Sequence, residues 1–505
     1  MRVAFRVDAS SVIGSGHVMR CLTLADCLRD SGADIVFVCR AHDGHLMDTV
    51  RRRGHAVESL PTPQTDPALD GYAAWLGVPQ SLDADDTLAA LGGRGWVRVD
   101  WLVVDHYALD EDWEGRMRGC AARILVIDDL ADRRHDCDVL LDQNLVADFE
   151  TRYSGLLPDK AEVLLGPTYA LLRPDFAELA GTKRPRGCST RRILIFMGAV
   201  DRGTTLRALQ GFVALGRGDI ACDVVCFNTN PNIEAIERIA GAQANVVLHG
   251  ALPSLAPLMA QADIAIGAGG ATSWERLCLG LASIVIILAE NQRPIAEELD
   301  RRGLAMLLGN AADVKAEDFT QAIAAALEKP FPVAQAQTLV DGHGADRVAA
   351  LLAVAGGAQL CFRLARAQDE KILLDWANDP ATRANAFNPE PITPEGHHRW
   401  LSARLASPDT CRIFIAETAR GVAVGQVRFD LRGGEAIIDY SVAPPFRGHG
   451  LGRRLLDEAA RLLEPGLLLV GEVLPGNAAS HKVFRSLGYV ATLGLHGATR
   501  YEKRL

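Results

Sequence analysis

The chain has 505 residues, 49% of them hydrophobic, and a formal net charge of -10. Its length predicts several domains, and the lack of a long basic tract argues against a nucleic-acid binder. No apolar stretch approaches the ~20 residues that span a bilayer, and the amino terminus has no signal-peptide pattern, so we expect a cytoplasmic protein without membrane insertion. The 11 cysteines are scattered and form no CxxC pair, which predicts reduced thiols.

The first part of the chain alternates short apolar runs with helix-length segments. The runs are VAFRV (3–7), IVFVC (35–39), WLVVD (101–105), ILVID (124–128) and DVLLD (138–142). Strands that are apolar almost throughout indicate a parallel sheet with helices on both faces. The pattern therefore predicts an α/β domain of the Rossmann type over residues 1–180.

A second series of the same kind follows. Its runs are ILIFM (193–197), DVVCF (223–227), NVVL (245–248), DIAIG (263–267) and SIVIIL (283–288). They predict a second Rossmann-type domain over residues 190–355, with the polar segment GTKRPRGC (181–188) as the linker. Ligands of such paired domains commonly lie at the carboxyl ends of the strands.

The pattern changes after AVAGGAQL (353–360). Helix candidates around 368–378 and 393–405 precede the alternating runs RIFIAE, AVGQVRFD and EAIIDYSV. The RGG between the last two runs indicates a hairpin turn. We predict an α+β domain with an antiparallel sheet over residues 360–505.

The segment IGSGHVMRC (13–21) lies between the first predicted strand and a helix. Gly14 and Gly16 permit a tight turn into the amino end of the helix, where an anion is favoured. The spacing matches neither the dinucleotide fingerprint nor a P-loop. His17 is then either a hydrogen-bond donor at the helix start or a general base, and Arg20 is either a surface residue or a partner of a phosphate.

A second glycine-rich turn, GAGGATSWE (267–275), directly follows a buried strand of the second series. Close approach of the backbone to a phosphate needs glycines, which are supplied here by Gly267, Gly269 and Gly270. Thr272 or Ser273 is expected to cap the helix that begins here.

Polar residues near this turn could bind the sugar of a nucleotide. The carboxylate of Glu275 could accept two ribose hydroxyls, or it could be a partner of the helix dipole. Asn291 and Gln292 follow the next strand and are either nucleotide contacts or part of an ordinary polar loop. Their order within one βαβ unit matches the nucleotide-diphosphate-sugar sites of two-domain enzymes.

Several segments together resemble a known family. They are RVDASSVIGSGHVMRCLTLADCLRDSGADIVFV, VIDDLADRRHDCDVLLDQN, LLGPTYALLRPDF and GAGGATSWERLCLG with LAENQ. Over roughly residues 1–355 the chain resembles the UDP-2,4-diacetamido-2,4,6-trideoxy-β-L-altropyranose hydrolases of pseudaminic acid biosynthesis, which have a glycosyltransferase-B-like pair of Rossmann-type domains. One departure is MGAVD (197–201), where the family usually has a second glycine.

This resemblance implies roles for individual residues. His17 looks like the base that activates water for attack at the anomeric carbon while UDP leaves from the opposite face, which is inverting hydrolysis. The residues implied to contact the nucleotide or sugar are Gly14, Gly16, Arg20, Arg173, Gly269, Gly270, Thr272, Glu275, Asn291 and Gln292. No metal is expected: Asp128, Asp129, Asp132 and Asp136 could hold a cation, but a solvated acidic loop or a structural helix cap is the favoured interpretation.

The segment SVAPPFRGHGLGRRLLDEAARLL (441–463) carries another glycine-rich turn. Arg447 precedes a series of glycines before an amphipathic helix, and backbone N–H groups in such a turn cradle a pyrophosphate. GLLLVGEVLPGNAASHKVFRSLGY then supplies a strand and an Asn-led helix. Over roughly residues 361–505 the chain resembles the GCN5-related N-acetyltransferases, whose turn holds the pyrophosphate of acetyl-CoA.

The second resemblance implies acetyl-CoA as a co-substrate. The residues implied to bind it are Val442, Arg447, Gly448, Gly450, Gly452 and Asn477. A splayed pair of strands at EAIIDYSV and LLLVGEV would admit the pantetheine arm. Many members have a proton-donating Tyr seven residues after the Asn, whereas this chain has Phe484, so Tyr440 and Tyr489 remain as alternatives to water or the substrate amine.

The segment WANDPATRANAFNPEPITPEGHHRWL (376–401) resembles the substrate side of acetyltransferases that act on amino sugars of sugar nucleotides. It implies that Arg383, His397 and Trp400 contact the sugar or UDP. Helix packing for Trp400 and surface charge for Arg383 are the alternatives.

The two resemblances together predict consecutive reactions on small-molecule UDP-sugars. The first is acetyl-CoA-dependent N-acetylation of UDP-4-amino-4,6-dideoxy-N-acetyl-β-L-altrosamine, and the second is hydrolysis of the diacetamido product to UDP and the free sugar. The alternatives are a UDP-sugar glycosyltransferase with a fused acetyltransferase, the same steps in a related nonulosonate pathway, and a non-catalytic sensor of sugar nucleotides.

Overall fold

The structure is a computed structural model that describes residues 1–63, 69–182, 192–198, 201–328, 331–494 and 497–505. The chain divides into two compact units. One unit comprises residues 2–29 and 33–348, and the other comprises residues 349–505 with Met1 and Asp30–Gly32. Most of the predicted linker lies outside the described residues, and the predicted domain limits stay predictions.

The first sheet of the larger unit is parallel. Its strands are β1 (Arg2–Val7), β2 (Asp34–Arg40), β3 (Ala56–Leu60), β4 (Val99–Asp105), β5 (Ala121–Ile127), β6 (Val139–Asp142) and β7 (Glu162–Leu165). The helices are α1 (Gly16–Asp30), α2 (Met47–Arg52), α3 (Ala73–Leu76), α4 (Gln80–Gly93), α5 (Glu111–Met117) and α6 (Pro174–Thr182). The strand order is β3-β2-β1-β4-β5-β6-β7. The chain adds β2 and β3 on one side of β1 and then β4 to β7 on its other side, as in Rossmann-type sheets.

The second sheet is parallel as well. Its strands are β8 (Arg192–Phe196), β9 (Ala221–Val225), β10 (Val246–His249), β11 (Ile264–Ala268), β12 (Ala282–Ile287) and β13 (Met306–Asn310), in the order β10-β9-β8-β11-β12-β13. The helices are α7 (Thr204–Ala214), α8 (Ile233–Gly241), α9 (Ala256–Gln261), α10 (Thr272–Cys278), α11 (Arg293–Arg301), α12 (Ala316–Glu328), α13 (Val333–Leu339) and α14 (Gly344–Ala355). The predicted pair of Rossmann-type sheets is confirmed.

The two parallel sheets share a hydrophobic cluster. Trp274 of α10 is fully buried in it, together with Phe176 of α6 and Leu145 from the loop after β6. The Trp274 indole N–H donates to the Asn144 side-chain oxygen at 3.3 Å. Burying a large aromatic side chain with its N–H satisfied stabilises the packing of the two halves of this unit.

The smaller unit has a mixed sheet. Its strands are β14 (Cys361–Leu364), β15 (Cys411–Glu417), β16 (Ala423–Arg432), β17 (Glu435–Val442), β18 (Leu468–Val473), β19 (Val490–Leu493) and β20 (Thr499–Arg504), in the order β14-β15-β16-β17-β18-β20-β19. The helices are α15 (Glu370–Asn378), α16 (Pro380–Ala384), α17 (Pro394–Leu405), α18 (Leu451–Ala460) and α19 (Ala478–Ser486). The predicted α+β class is confirmed for this unit, but the sheet is not antiparallel throughout as predicted, because β17 and β18 pair in parallel.

Strands β17 and β18 form the predicted splayed pair. They are parallel and pair from Glu435 with Leu468 to Ile438 with Gly471. Beyond this point β17 continues to Val442 and β18 to Val473 without pairing to each other. The divergence leaves a gap in the sheet that could admit an extended molecule.

The RGG hairpin is also present. Gly433 and Gly434 lie between β16 and β17 with φ angles of 56° and 85°. A two-residue hairpin loop with positive φ at both positions matches the right-handed twist of its strands, and glycine adopts that conformation without steric cost.

Five of the six strands at the sheet edges were not predicted from the sequence, the exception being β10. β3 and β7 lie at the two edges of the first sheet, β13 at an edge of the second, and β14 and β19 at the edges of the third. Edge strands face solvent and carry polar residues, which weakens their hydrophobic pattern. In the described part of the chain, no helix is long and apolar enough to cross a bilayer, and no cysteine forms a disulfide.

Candidate active sites

His17 pairs with a buried carboxylate at the carboxyl edge of the first sheet. β1 and β4 are neighbours in register, with Val7 opposite Asp105, and the loop after β1 leads into α1. His17 is the second residue of that helix, and its Nδ1 lies 2.6 Å from Asp105 Oδ1. The Asp105 side chain is fully buried and His17 is 9% exposed. Because Nδ1 is engaged by a carboxylate, Nε2 is the nitrogen that can accept a proton.

Arg20 holds the same carboxylate from the next turn of α1. Its Nε and Nη2 donate to the two oxygens of Asp105, each at 2.6 Å, and its Nη1 donates to Asp129 at 3.2 Å. Burial alone would raise the pKa of Asp105, but Arg20 and then His17 hold it well below its usual range. A buried carboxylate needs such a counter-charge. These contacts place Arg20 where it orients Asp105 beside His17, and its predicted contact with a phosphate stays a prediction.

Aromatic rings line the space beside His17. The Tyr107 ring lies 4.7 Å from the imidazole at 84°, and the Trp75 ring lies 6.4 Å from it. Tyr72 contacts both of these rings, at 5.0 and 4.9 Å. Aromatic faces offer rigid apolar surface for the C–H face of a sugar. None of these three residues was predicted from the sequence.

The first glycine loop is a tight turn with open space beside it. Gly14 has a φ of 82°, and its N–H donates to the Ser10 carbonyl oxygen at 2.9 Å. Gly16 begins α1, and a Cβ there would meet no atom within 4 Å. The backbone at the amino end of α1, directly before His17, is therefore not crowded by other atoms.

The acidic segment after β5 does not form a cation site in the described residues. Its four carboxylates each pair with an arginine: Asp128 and Asp132 with Arg133, Asp129 with Arg20, and Asp136 with Arg118. Asp128 is fully buried and accepts from the backbone N–H groups of Leu130 and Ala131. The favoured interpretation of this segment is a solvated acidic loop or a structural helix cap; the contacts of Asp128 are those of a buried structural cap of the turn and not of a solvated side chain.

Glu275 carries an unsatisfied oxygen in the second half of the unit. Its Oε2 is buried and has no hydrogen-bond partner in the described residues. Burial raises the pKa of Glu275 to about 7, against the attraction of Arg276 and Arg173. A buried carboxylate oxygen without a donor is costly, so this position suits a ligand that brings hydroxyl donors.

Arg173 approaches Glu275 from the first half of the unit. Its Nη1 donates to the Pro253 carbonyl oxygen at 2.6 Å, and its Nη2 lies 3.4 Å from Asp175. The structure thus brings together two residues, Arg173 and Glu275, that the resemblance assigned to the nucleotide site.

The three glycines of the second turn differ in how much space a side chain would have at each position. A Cβ at Gly267 would lie 2.5 Å from the Arg276 guanidinium, and one at Gly269 would lie 3.1 Å from Val285. Gly267 is therefore required by packing, because its Cβ would also lie 2.6 Å from the Phe196 carbonyl oxygen, whereas a side chain at Gly269 would require its neighbours to shift slightly. A Cβ at Gly270 would lie 3.7 Å from its nearest neighbour, an ordinary contact, so of these three glycines Gly270 has the most space around it.

The expected side-chain cap of α10 is wrong. The N-cap residue is Ala271, without a capping side chain, and Thr272 is the first residue of the helix. The Ser273 hydroxyl instead accepts from Arg276 Nη2 at 2.9 Å. Arg276 is almost fully buried, and burial lowers its pKa to about 10. Because a buried guanidinium needs hydrogen-bond partners, it donates to the acceptors around it.

Asn291 and Gln292 lie in a short 3-10 turn after β12. Gln292 Oε1 accepts from the Leu288 N–H at 3.1 Å, which fixes the turn. The Asn291 side chain is exposed. Their predicted ligand contacts stay predictions.

A cavity of 1430 Å³ lies in the smaller unit. Its lining includes all the residues predicted to bind acetyl-CoA or the acceptor sugar, namely Arg383, His397, Trp400, Val442, Arg447, Gly448, Gly450, Gly452 and Asn477. These residues come from helices, strands and loops far apart in the chain, so the fold brings the predicted set together.

The loop between β17 and α18 is anchored by Arg447. Its Nη1 lies 2.7 Å from Asp379, Nη2 donates to Thr382 at 3.0 Å, and Nε donates to the Val442 carbonyl oxygen. Gly448 and Gly450 have φ angles of 86° and 72°, which glycine adopts readily. Arg447 therefore holds the loop to α16, and the glycines turn the backbone into α18.

Asn477 and Tyr440 lie where β17 and β18 diverge. Asn477 is the N-cap of α19, and its side-chain oxygen accepts from the Ser480 N–H at 3.0 Å. The Tyr440 and Ser480 hydroxyls are hydrogen-bonded at 3.0 Å, and both residues line the cavity. Burial raises the pKa of Tyr440, so the phenol keeps its proton at neutral pH.

Phe484 and Tyr489 belong to the core of the smaller unit. Phe484 is 2% exposed and stacks on Tyr501 at 5.1 Å. Tyr489 is buried against the Phe484 ring at 5.0 Å and does not line the cavity among the described residues. The structure therefore separates the two alternatives for the proton donor and places Tyr440 in the cavity.

The three residues predicted to contact the sugar or UDP in the smaller unit, Arg383, His397 and Trp400, differ in their contacts. Arg383 Nη1 donates to the Asn388 carbonyl oxygen at 3.1 Å, which holds the loop before α17. His397 is 3% exposed, with Nδ1 unpartnered among the described residues. The Trp400 ring lies 5.3 Å from His397, and the guanidinium of Arg428 lies over it at 5.4 Å. Arg428 was not predicted from the sequence.

Comparisons with known proteins match both parts of the chain. Residues 359–490 match the model of the acetyltransferase (GNAT) domain. The UDP-2,4-diacetamido-2,4,6-trideoxy-beta-L-altropyranose hydrolase of Campylobacter jejuni is 27% identical over 304 residues, which are 60% of this chain and 97% of that protein. An uncharacterized protein of Methanocaldococcus jannaschii is 20% identical over 97% of both chains.

Among solved structures, MurG of Acinetobacter baumannii aligns with a TM-score of 0.49 at 14% identity, covering 70% of this chain and 98% of that one.

The sequence matches confirm the two predicted resemblances: a homologue of the hydrolase is followed by an acetyltransferase domain. The expectation of an enzyme is confirmed with them.

Proposed function

We propose that the chain catalyses two consecutive reactions of pseudaminic acid biosynthesis. The smaller unit transfers an acetyl group from acetyl-CoA to the amine of UDP-4-amino-4,6-dideoxy-N-acetyl-β-L-altrosamine. The larger unit hydrolyses the resulting UDP-2,4-diacetamido-2,4,6-trideoxy-β-L-altropyranose to UDP and the free sugar. The observation that carries the proposal is that one chain holds a His–Asp pair in a hydrolase homologue and a cavity lined by the acetyltransferase residues.

In the hydrolysis step His17 acts as the base. Its Nε2 takes a proton from water as the water oxygen attacks the anomeric carbon, and the bond from that carbon to the UDP oxygen breaks. Asp105, hydrogen-bonded to Nδ1, keeps the ring in the tautomer that exposes a lone pair at Nε2 and stabilises the imidazolium that forms. The imidazolium then returns its proton to solvent.

The nucleotide is held in the second half of the larger unit. The unpartnered Glu275 Oε2 accepts ribose hydroxyls, which supplies the donors that this buried oxygen lacks. Arg173 neutralises charge nearby, and Asn291 and Gly270 contact the diphosphate or sugar. Tyr107 and Trp75 pack against the sugar beside His17.

In the acetylation step acetyl-CoA enters the gap between β17 and β18. The Arg447–Gly452 turn holds its pyrophosphate, and the volume of the cavity, 1430 Å³, leaves room for a second substrate. The neutral amine attacks the thioester carbonyl carbon, the C–S bond breaks, and Tyr440 with Ser480 returns a proton to the leaving thiolate. The sugar nucleotide lies against Arg383, His397 and Trp400.

The test is to incubate the full chain with the 4-amino UDP-sugar, with and without acetyl-CoA, and to follow products by NMR and mass spectrometry. We expect free diacetamido sugar and UDP only when acetyl-CoA is present. UDP release that depends on an added sugar acceptor would favour a glycosyltransferase. Tight binding of both substrates without turnover would favour a sensor.

A further inference from the structure

Strand β17 presents two consecutive polar residues just beyond its last pair with β18. That pair is Ile438 with Gly471, and Asp439 and Tyr440 follow. Consecutive side chains of a strand point to opposite faces of the sheet. Tyr440 reaches Ser480 of α19 on one face, whereas Asp439 accepts from Gln426 of β16 on the other. Both residues line the cavity at the point where the strands diverge.

The charge of the cavity is otherwise basic. Among its described lining residues, the positively charged side chains are Arg383, Arg428, Arg447, Arg453, Arg454 and Lys482. Asp439 is the one carboxylate in that described lining. Basic residues suit a site for two polyphosphate substrates, but they repel an ammonium group. A protonated amine entering this cavity therefore has Asp439 as its available counter-charge.

The Asp439 carboxylate is oriented but accessible. Its Oδ1 accepts from the Gln426 side-chain N–H at 2.9 Å, while Arg428 Nη2 lies 3.6 Å from Oδ2. Arg428 is itself drawn towards Asp430, 3.3 Å away. The Asp439 side chain is 53% exposed, so it retains room for a further partner. Gln426 thus fixes the direction of the carboxylate without covering it.

Acetyl transfer requires that the acceptor amine lose a proton before it attacks. An alkyl amine is largely protonated at neutral pH, and the ammonium nitrogen has no lone pair for attack on the thioester. We propose that Asp439 binds the ammonium group of the acceptor sugar and takes its proton, which makes Asp439 the catalytic base of acetyl transfer. The proposal rests on the acetyltransferase function proposed above and names the residue that recognises the amine.

Asp439 and Tyr440, on opposite faces of β17, account for the protons that move in this step. Asp439 removes one proton from the ammonium group and passes it to solvent. The free amine forms the N–C bond, the C–S bond of the thioester breaks, and the thiolate takes a proton from Tyr440. The second proton lost by the substituted nitrogen restores the Tyr440 hydroxyl through Ser480 or water. Base and acid thus act from opposite faces of one strand.

The experiment compares Asp439→Asn with Glu472→Gln in the full chain. Glu472 is the matched control, because it directly follows the last residue of β18 that pairs with β17 and lies outside the described lining of the cavity. We expect D439N to lower kcat/KM for the 4-amino UDP-sugar by about 10²-fold, as loss of a general base does, and E472Q to keep wild-type kinetics. Acetyl-CoA affinity and hydrolysis of preformed diacetamido UDP-sugar should be unchanged in both variants.

The pH profile separates a base from a merely structural carboxylate. The kcat/KM of D439N should climb with pH in proportion to the neutral fraction of the amine, approaching the wild-type value, while D439E should recover part of the activity at neutral pH. Wild-type kinetics and pH dependence in D439N would overturn the proposal, as would loss of acetyl-CoA binding. If the wild-type chain itself acetylates no amino sugar, the proposed function fails first, and that result is distinct from an active but unchanged D439N.

Discussion

His17 Nδ1 lies 2.6 Å from Asp105 Oδ1, although the two residues are 88 positions apart in the chain. The contact arises because β1 and β4 are adjacent parallel strands whose carboxyl ends share one edge of the sheet. It fixes which imidazole nitrogen is free and supplies a buried negative charge behind the ring. The hydrolase chemistry proposed for this chain depends on that pair.

Replacing Asp105 tests the orientation of His17. We expect Asp105→Asn to lower kcat for UDP release by about 10²- to 10⁴-fold, because the amide no longer stabilises the imidazolium and no longer selects the tautomer. Acetylation should be unaffected. Asp100→Asn, at the opposite end of the same strand, is the control and should behave as wild type. Steady-state UDP release gives the comparison, and full hydrolase activity in D105N would contradict the role of the pair.

Replacing Arg20 distinguishes its positioning role from the phosphate contact inferred from the sequence. Arg20→Lys keeps the charge but loses the two-point contact with Asp105. We expect kcat for hydrolysis to fall by about tenfold, with KM for the UDP-sugar little changed. Arg29→Lys, in the last turn of the same helix, is the control. A raised KM with normal kcat would instead favour direct contact with the diphosphate.

The raised pKa of Glu275 predicts how the affinity of the chain for a nucleotide depends on pH. Burial raises the pKa of its carboxyl to about 7. Only the ionised form accepts two ribose hydroxyls, so binding removes a proton, and affinity should rise as the pH increases through about 7 and then level off. Calorimetric titration with UDP-glucose, whose diphosphate does not titrate in this range, measures the effect. Glu275→Gln should bind more weakly above this pH and give a flat profile; a slope that persists in this variant would exclude Glu275 as its source.

Tyr440 is expected to supply the proton that Phe484 cannot. Tyr440→Phe removes the hydroxyl and leaves the ring, so kcat for acetyl transfer should fall by about tenfold or more while KM for acetyl-CoA stays near its wild-type value. Tyr489→Phe is the matched control because Tyr489 lies in the core beside Phe484. Thiol release measured with a disulfide reagent gives the rates. Equal losses in the two variants would argue against a specific role for Tyr440.

The part of the site that depends on strand order could be read from the sequence. WLVVD was identified as a strand, and a polar residue at its carboxyl end lies at the ligand edge of a parallel sheet. Asp105 could have been found by that rule. The contact between His17 and Trp75 of α3 could not, because Trp75 lies in a short helix after a connecting segment with no periodic pattern.

The sequence does not predict which charged residues pair with each other. Arg20 has the same local pattern whether it faces a phosphate or Asp105, and only the packing of α1 against β4 decides between them. The same holds for Ser273, whose hydroxyl is taken by Arg276 instead of capping α10. By contrast, the glycine turn at residues 447–452 and Asn477, which were predicted to bind one ligand, line the same cavity, and each lies at a strand–helix junction that the sequence pattern indicates clearly.

The most direct test of the two-step function is a time course of the His17→Ala variant with the 4-amino UDP-sugar and acetyl-CoA. We expect the variant to consume acetyl-CoA at the wild-type rate and to accumulate UDP-2,4-diacetamido-2,4,6-trideoxy-β-L-altropyranose, with release of UDP reduced by about 10²-fold or more. Release of free sugar at the wild-type rate, or loss of acetylation in this variant, would contradict the assignment of hydrolysis to His17 and of acetyl transfer to the other unit.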